Sequence, residues 1–231
     1  MQQLSPISSI EDKPQKAVVV ILAAGESRRF DGIKQLAMLD KNRLMLGQTL
    51  DALKQMQNMI VQQCKTDDAL PVNLAHIALV LGGHYQQIMS NPLLMSSLQQ
   101  VEVIHNHQWQ QGLSSSIHSA VHFAQNQQAD ALMLVLADQV ALKSNDYLAI
   151  WQAFIDGGQT TGAFYQQDVG VPAIFLKDDF KPLLALTGDV GAKKILKTRL
   201  QSNSLVCVDL AQASIDIDTQ ADLTVWLANK E

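Results

Sequence analysis

The chain has 231 residues, of which 47% are hydrophobic and 17% charged, and its formal net charge is −5. Disorder of the whole chain is excluded, because disorder requires low hydrophobicity and high net charge. The acidic balance argues against nucleic acid as the main partner. The longest apolar runs, at residues 17–24 and 131–137, are far shorter than the roughly 20 residues of a membrane helix. The sequence therefore predicts a soluble protein without a membrane partner.

The chain is expected to consist of a short leader and one domain. Residues 1–16 are polar, contain Pro6 and Pro14, and lack the apolar segment of a signal peptide. We therefore predict a loose leader at 1–16, a single domain at 17–231 and a cytoplasmic location. Cys64 and Cys207 have neither a CxxC spacing nor a histidine at zinc-site spacing, which predicts no disulfide framework and no structural zinc.

Strand patterns and helix patterns alternate along the chain. Residues 17–23 form a continuous β-branched apolar run, which is typical of a strand buried on both faces, and residues 47–63 carry apolar side chains at helical spacing. Further strands are predicted at 76–81, 101–104, 131–137, 160–165, 171–176 and 205–208, and further helices at 85–98 with a break at Pro92, 113–124, 145–155, 189–200 and 219–229.

This alternation indicates an α/β fold with a mostly parallel sheet. The two neighbouring strands between residues 160 and 176 depart from it. They predict a small antiparallel addition at one edge of the sheet.

The loop after the first strand has the composition of an anion site. It leaves the carboxyl end of the strand, where ligands bind in open α/β sheets. The small residues Ala23, Ala24 and Gly25 let a ligand approach the backbone. Ser27 adds a hydroxyl donor and is followed by the cations Arg28, Arg29 and Lys34. Such a cradle suits a triphosphate, although the loop matches neither a P-loop nor a dinucleotide fingerprint and a basic surface loop is the alternative.

The wider pattern, Leu22-Ala23-Ala24-Gly25 followed by Ser27, Arg29, Phe30 and Lys34, resembles the signature of the nucleotidyltransferases. It is most similar to the branch that adds a nucleotide to molybdopterin, the MocA/MobA-like cytidylyl- and guanylyltransferases. Asp31 stands where that family usually has glycine, and Gly32 follows one place later. The resemblance extends from residue 17 to residue 223 and implies a Rossmann-like three-layer nucleotidyltransferase fold with a mostly parallel sheet.

A second segment, at residues 105–120, is similar to the family motif that places a glycine and several serines at the start of a helix. It contains Asn106, Trp109, Gly112 and serines at 114–116. Hydroxyl groups at a helix N-terminus can bond to a base or a phosphate, although serine is also an ordinary helix cap. The resemblance implies that the nucleotide is bound by residues of both segments, namely Leu22, Ala23, Ala24, Gly25, Ser27, Gly112, Ser115 and Ser116.

Asp138 follows the apolar strand at 131–137. A carboxylate at the end of a central strand lies over the ligand crevice of an α/β sheet, and Mg²⁺ binds through few carboxylates plus substrate phosphates. The Asp138-Gln139-Val140 stretch matches the family's DQP, with Val140 in place of proline. The resemblance implies that Asp138 is the main Mg²⁺ ligand, while a helix cap is the alternative.

Near the C-terminus, Asp216-Ile217-Asp218-Thr219 is similar to the family's D-[IV]-D-T. The resemblance implies that Asp218 completes the metal site. In a strand, alternation would place Asp216 on the same face as Asp218, so the choice between them stays open, and a solvated acidic turn is a further alternative.

Two motifs resemble those that border the acceptor substrate in the family. Gly170-Val171-Pro172 matches its G-x-P, and residues 186–193, LTGDVGAK, match its L-x-G-D-x-G-A-[RK]. The resemblance implies acceptor-side positions at Gly170, Pro172, Gly188 and Asp189, while turn and cap chemistry is the alternative.

The implied reaction is transfer of a nucleotide from a nucleoside triphosphate, CTP rather than GTP, to molybdopterin with release of pyrophosphate. Mg²⁺ is the implied cofactor, Arg29 and Lys34 balance phosphate charge, and a molybdoenzyme receives the product. The alternatives are a guanylyltransferase for the same acceptor, a nucleotidyltransferase for a sugar or polyol phosphate, and a carrier that binds the cofactor without chemistry.

Overall fold

The computed structural model describes residues 16–66 and 72–229. In these residues the chain forms, in order, β1 (Lys16–Ala23), β2 (Met38–Asp40), β3 (Arg43–Leu44), α1 (Met45–Thr66), β4 (Asn73–Leu81), α2 (Tyr85–Met89), β5 (Glu102–His105), α3 (Leu113–Asn126), β6 (Ala131–Leu136), α4 (Ser144–Gly157), β7 (Thr161–Tyr165), β8 (Asp168–Leu176), α5 (Phe180–Leu184), α6 (Lys193–Gln201), β9 (Val206–Asp209) and α7 (Gln220–Ala228).

The fold is α/β with a mostly parallel sheet, as predicted. Seven strands form one sheet in the order β5-β4-β1-β6-β8-β7-β9. β8 runs antiparallel to both of its neighbours, while the other pairs are parallel. β2 and β3 form a separate antiparallel hairpin.

The sheet is covered on both faces because successive side chains of its strands point to opposite sides. Val19 and Ile21 of β1 belong to one apolar cluster, together with side chains of α1 and α4. Val18 and Val20 belong to a second cluster, together with side chains of α3, α5 and α6. This two-sided burial explains the continuous apolar run of β1.

The hairpin of β7 and β8 differs from the prediction in its position. It was expected as an addition at one edge, but β8 lies inside the sheet between β6 and β7, and β9 forms the edge. Ala173, Ile174 and Phe175 of β8 are fully buried. Ile174 packs in one apolar cluster and Phe175 in the other, so both faces of this segment leave water. Its place between β6 and β7 also pairs the backbone groups on both of its edges.

Several other boundaries differ from the sequence prediction. The helix expected from residue 189 begins at Lys193, after Gly188 with a φ of +61°. The break at Pro92 is present, with a short 3-10 helix after α2, whereas the β2–β3 hairpin and α5 were not predicted. Most of the predicted leader at 1–16 lies outside the described residues, and Lys16 begins β1.

The topology brings distant parts of the chain together at one end of the strands, which is the edge of the sheet formed by the carboxyl ends of β1 and β6. β1 and β6 are parallel neighbours, so both carboxyl ends lie there. β8 is antiparallel to β6, so its amino end lies at the same edge.

Within the described ranges, no helix is both long and apolar enough to cross a bilayer.

Candidate active site

A cavity of about 580 Å³ opens at this edge of the sheet. The site lies where ligands bind in open α/β sheets, outside the carboxyl ends of the strands. Its lining combines the loop after β1, the start of α3, the end of β6 and two later acidic residues: residues 22–29, Lys34, Gln35, Met45, residues 109–113, Ser116, residues 136–138, Asp189 and Asp218.

The loop after β1 is held in place by a buried glutamine. Gln35 Nε2 donates to the carbonyl oxygen of Ala23 at 2.9 Å and to that of Gly25 at 3.1 Å. Ser27 Oγ donates to Gln35 Oε1 at 3.3 Å. The Gln35 side chain therefore shapes the segment of small residues that lines the cavity. In the sequence, nothing distinguishes Gln35 except its place beside Lys34.

Four charged side chains meet in the cavity, although they lie up to 189 positions apart in the sequence. Lys34 Nζ donates to Asp138 Oδ2 at 2.7 Å and to Asp218 Oδ1 at 2.9 Å. Arg29 Nη2 donates to Asp218 Oδ2 at 2.7 Å. The structure thus brings together the four residues to which the resemblance assigned charge and metal chemistry, and it pairs the cations with the carboxylates.

The two cations of this cluster differ in their exposure to water. The Lys34 side chain is 16% exposed, whereas that of Arg29 is 74% exposed. Burial disfavours the Lys34 ammonium, but attraction to Asp138 and hydrogen bonds to Asp138 and Asp218 outweigh it, so the pKa of Lys34 lies above its ordinary value. Lys34 therefore carries its charge at neutral pH, and its ion pairs are screened less than that of Arg29.

Backbone contacts position the two carboxylates. Ile217 N donates to the carbonyl oxygen of Asp138 at 3.2 Å, which ties the 215–218 segment to the end of β6. Immediately after Asp218, Thr219 caps α7. Its Oγ1 accepts from Asp222 N at 3.2 Å, while Asp222 Oδ2 accepts from Thr219 N at 2.8 Å. This reciprocal cap fixes where α7 begins and hence where Asp218 lies.

The structure distinguishes Asp216 from Asp218. Residues 215–218 are not in a strand, so the alternation considered for this pair does not apply. Asp218 contacts Lys34 and Arg29, whereas Asp216 lies exposed beside the cluster. Desolvation and the negative charges of Asp138 and Asp218 raise the pKa of Asp216.

The cluster contains donors that suit a magnesium ion. Asp138 Oδ1 is buried and has no hydrogen-bond partner among the residues that the structure describes. In the same part of the chain, no group of three or more His, Cys, Asp or Glu side chains forms a complete metal site. Mg²⁺ needs no such cage, since it is commonly held by one or two carboxylates plus phosphates and water. Asp138 and Asp218 therefore fit a magnesium ion that also contacts a bound phosphate.

The start of α3 forms a second part of the cavity wall. Gly112 precedes this helix with a φ of +95°, and a Cβ at this position would lie 2.5 Å from the backbone carbonyl of Gly188. Ser114 N also donates to the Gly188 carbonyl at 3.0 Å. The 186–193 motif therefore packs directly on the start of α3, and glycine is required at 112 by both conformation and space.

The serines of α3 have different surroundings. Buried Asn106 donates to Ser115 Oγ at 2.9 Å and to Ser116 Oγ at 3.2 Å. Ser116 lines the cavity, but Ser115 does not, and Ser115 Oγ donates to the Gly112 carbonyl at 2.8 Å. The Ser115 hydroxyl was predicted to contact the nucleotide. In the structure it bonds to the backbone at the start of α3 and holds that end of the helix.

On the acceptor side, the predicted positions fall in different places. Asp189 lines the cavity, whereas Gly188, Gly170 and Pro172 are not among its lining residues. A Cβ on Gly170 would lie 2.3 Å from the hydroxyl oxygen of Tyr165. Gly170 therefore makes room for the Tyr165 ring.

Two further side chains near the acceptor side had no role assigned from the sequence, although Gln139 belongs to the Asp138-Gln139-Val140 match. Gln139 is buried, and its Nε2 donates to the carbonyl oxygens of Val171 and Ala213, both at 2.8 Å. It thereby links the residue after Asp138 to the Gly170–Pro172 segment. Desolvation and the negative charges of Asp216 and Asp138 raise the pKa of Tyr165.

Comparisons with known proteins identify the family and the fold of this chain. A family model described as "MobA-like NTP transferase domain" matches residues 19–204. The structure of Rv0371c from Mycobacterium tuberculosis H37Rv is 23% identical, with a TM-score of 0.67, over 93% of this chain and 99% of that chain. A manganese complex of Rv0371c is 21% identical, with a TM-score of 0.64, over 93% and 98% of the two chains.

The 4-diphosphocytidyl-2C-methyl-D-erythritol synthase of Anaerococcus prevotii DSM 20548 is 13% identical, with a TM-score of 0.67, over 94% of this chain and 96% of that chain. At such low identities these structures establish likeness of fold. A comparison with curated protein sequences finds no significant match.

Proposed function

We propose a specific reaction for this chain, which belongs to the family of MobA-like NTP transferase domains and is a nucleotidyltransferase. It transfers CMP from CTP to the terminal phosphate of a molybdopterin-type acceptor and releases pyrophosphate, in the cytoplasm and with Mg²⁺ as cofactor. A molybdoenzyme then receives the product.

One observation carries the proposal. Lys34 pairs with both Asp138 and Asp218 at the end of a loop of small residues. A nucleotidyl transfer needs cations for the phosphates and carboxylates for a metal, next to a backbone that the nucleotide can approach closely. A protein that only carried the cofactor would need no such cluster, which disfavours the carrier alternative.

The mechanism follows from positioning and charge. An oxygen of the acceptor phosphate attacks the α-phosphorus of CTP in line and forms a new P–O bond. The bond between the α-phosphorus and the bridging oxygen breaks, and the pyrophosphate leaves with the electron pair. The attacking phosphate is already ionised near neutral pH, so no general base is required. Lys34 and Arg29 contact the phosphates and offset the charge that develops on the leaving group.

The metal ligands in this proposal are Asp138 and Asp218. When bound, Mg²⁺ supplies neutralisation of phosphate charge. The nucleotide is held by the loop after β1, with Leu22 to Gly25 and Ser27, and by the start of α3, with Gly112 and Ser116. Asp189 faces the acceptor, and Gly170, Pro172 and Gly188 support that side of the site. Ser115 holds the start of α3 on the nucleotide side.

The choice of acceptor and the choice of cytosine as the nucleobase are supported by separate observations. The 186–193 motif, which resembles that of the molybdopterin branch, packs on the start of α3 beside the cavity. A protein named as a diphosphocytidyl-methylerythritol synthase shares the fold, which supports CTP and also favours a polyol phosphate as the second candidate acceptor.

Pyrophosphate release tests the reaction. Purified protein with Mg²⁺ is given CTP, GTP or ATP, each with molybdopterin, methylerythritol phosphate or no acceptor. Release with CTP and molybdopterin is expected. Release with GTP and molybdopterin would assign the guanylyl reaction, and release with the polyol phosphate alone would assign the second candidate. If folded protein releases no pyrophosphate in any combination, the proposal is contradicted.

A further inference from the structure

Lys34 uses the carboxylate oxygens that the proposed metal site requires. Its ammonium bonds to Asp138 Oδ2 at 2.7 Å and to Asp218 Oδ1 at 2.9 Å. The second oxygen of Asp218 accepts from Arg29 at 2.7 Å. Three of the four carboxylate oxygens are therefore bound to cationic side chains, and the fourth, Asp138 Oδ1, is buried.

We propose that Lys34 competes with a divalent cation for Asp138 and Asp218 until a triphosphate draws the ammonium away, so that the metal enters together with the nucleotide. This inference rests on the proposed function, because it takes these two carboxylates as the metal ligands.

The charges of the cluster explain the competition. Two cationic side chains already balance the negative charges of Asp138 and Asp218. A divalent cation that arrives alone must displace the ammonium and remain near it, and the repulsion is strong because Lys34 is sheltered from water. A triphosphate changes this balance, since its negative oxygens offer the ammonium a new partner and leave the carboxylates to the metal.

Lys34 is better suited to this exchange than Arg29. The side chain of Arg29 is largely exposed, so solvent screens its effect on Asp218. Lys34 contacts both carboxylates, and the neighbouring Gln35 side chain anchors the backbone to the loop after β1. The flexible four-carbon stem of lysine can move its ammonium while that backbone stays in place.

Binding of Mn²⁺ in the absence of nucleotide tests the competition. Free Mn²⁺ is measured by electron paramagnetic resonance in titrations of the wild type and of Lys34→Met, which removes the charge and keeps a similar length. Lys34→Met is expected to bind Mn²⁺ alone about tenfold more tightly. The same variant is expected to bind the Mn²⁺–CTP complex more weakly than the wild type, because it lacks the cation that would contact the phosphates. Protein-bound CTP measured by equilibrium dialysis gives this second comparison, since CTP itself removes free Mn²⁺ from solution.

Matched variants show whether the effect belongs to this ammonium. Lys34→Arg keeps a cation and is expected to bind Mn²⁺ alone as weakly as the wild type. Lys34→Met combined with Asp138→Asn should lose the gain. Lys181→Met removes a charge from exposed Lys181 on α5, beyond the end of β8 opposite the cavity, and should leave Mn²⁺ binding unchanged. Circular dichroism verifies that each variant is folded.

The opposite sign of the two effects separates competition from damage. If Lys34→Met binds Mn²⁺ alone no more tightly than the wild type, whether both bind well or neither binds, the inference is overturned. A gain that persists in the double variant also overturns it, because the metal then lies elsewhere. If CTP is not the substrate, Mn²⁺ with CTP fails to bind even to the wild type, while the titration without nucleotide still decides the inference.

Discussion

The loop after β1 and the start of α3 form the first wall of the cavity, whereas the 186–193 motif and the β7–β8 hairpin form the second, from which Asp189 is the one described residue that lines the cavity. The two walls differ in what their small residues do. In the first wall, Ala23, Ala24 and Gly25 line the cavity directly. In the second wall, Gly170 makes room for the ring of Tyr165. A glycine in a motif thus marks a close approach, but the motif does not identify the group that approaches.

The two walls also differ in how they are held together. Short-range contacts shape the first wall, as between Gln35 and the carbonyl oxygens of Ala23 and Gly25. The second wall depends on contacts between distant segments, as between Gln139 and the carbonyl oxygens of Val171 and Ala213. Substitutions in the first wall should therefore act on nucleotide binding, and those in the second on stability and on the acceptor.

The largest effect is expected just after β6, which lies between β1 and β8 in the sheet. Asp138→Ala removes a carboxylate that pairs with Lys34 and that we assign to the metal. Pyrophosphate release should fall by about 10²–10³-fold or more, the usual loss when a transition-state charge contact is removed. The measurement is kcat for pyrophosphate release, with circular dichroism to verify the fold.

A matched carboxylate provides the control for that substitution. Asp178 is exposed and follows β8 at the edge opposite the cavity. Asp178→Ala should retain the activity of the wild type. Activity of Asp138→Ala within a few-fold of the wild type would exclude Asp138 as a metal ligand and weaken the division into two walls.

The next effect is expected where the walls touch, at Gly112. Gly112→Ala places a Cβ 2.5 Å from the Gly188 carbonyl, at a φ of +95°. Strain and overpacking should cost about 2–4 kcal/mol of unfolding free energy, and Tm should fall by roughly 2–4 °C per kcal/mol in a chain of this size. KM for the nucleotide should rise, because the start of α3 shifts.

Gly158→Ala is the control that separates backbone strain from overpacking as the cause of that loss. Gly158 has a φ of +61° with no heavy atom within 4 Å of an added Cβ, so Gly158→Ala should cost only about 1–2 kcal/mol from conformation. Equal losses in both variants would mean that the contact between Gly112 and Gly188 does not hold the walls together.

A smaller effect is expected within the second wall. Gly170→Ala places a Cβ 2.3 Å from the Tyr165 hydroxyl oxygen and should lower the unfolding free energy by about 1–3 kcal/mol. Tyr165→Ala, introduced with Gly170→Ala, should recover part of that stability because it removes the ring. Chemical denaturation measures both variants and the wild type. If Gly170→Ala instead leaves stability unchanged and raises only KM for the acceptor, Gly170 faces the substrate as the motif resemblance implied.

The smallest effect is expected at the ion pairs between β8 and α6. Lys193 and Lys197 donate to Asp168 Oδ2 at 2.8 Å and 3.0 Å, and these bonds hold the pKa of Asp168 well below its usual range. A carboxylate with a depressed pKa stabilises the fold above its unfolded pKa of about 3.9, and that contribution is lost as pH falls toward its folded pKa.

Asp168→Asn should therefore lower Tm slightly at pH 7, and its difference from the wild type should shrink as pH falls below about 4. Thermal unfolding at several pH values measures this, with Asp178→Asn as the exposed control. A difference that stays constant with pH would mean that hydrogen-bond geometry and not charge accounts for the effect.

Much of the fold and part of the site could be predicted because the responsible signals are local. The buried run of β1 and the helical spacing of α1 depend on side-chain periodicity over one element. The loop after β1 was identified from its own small and cationic residues. Gln35 and Tyr165 were missed, and Gln139 was noted only as part of a motif, because their roles depend on the groups that they reach. A single polar or aromatic residue carries no periodic signal.

The sequence by itself determined an α/β chain with a small-residue loop after its first strand and carboxylates at the ends of later segments. Only the tertiary structure decided that β8 lies inside the sheet, that Asp218 rather than Asp216 contacts Lys34, and that Gly170 accommodates Tyr165. The physical reason is one of range. Periodicity and backbone preference act between near neighbours in the chain, whereas packing and charge pairing act between residues that only the folded sheet brings together.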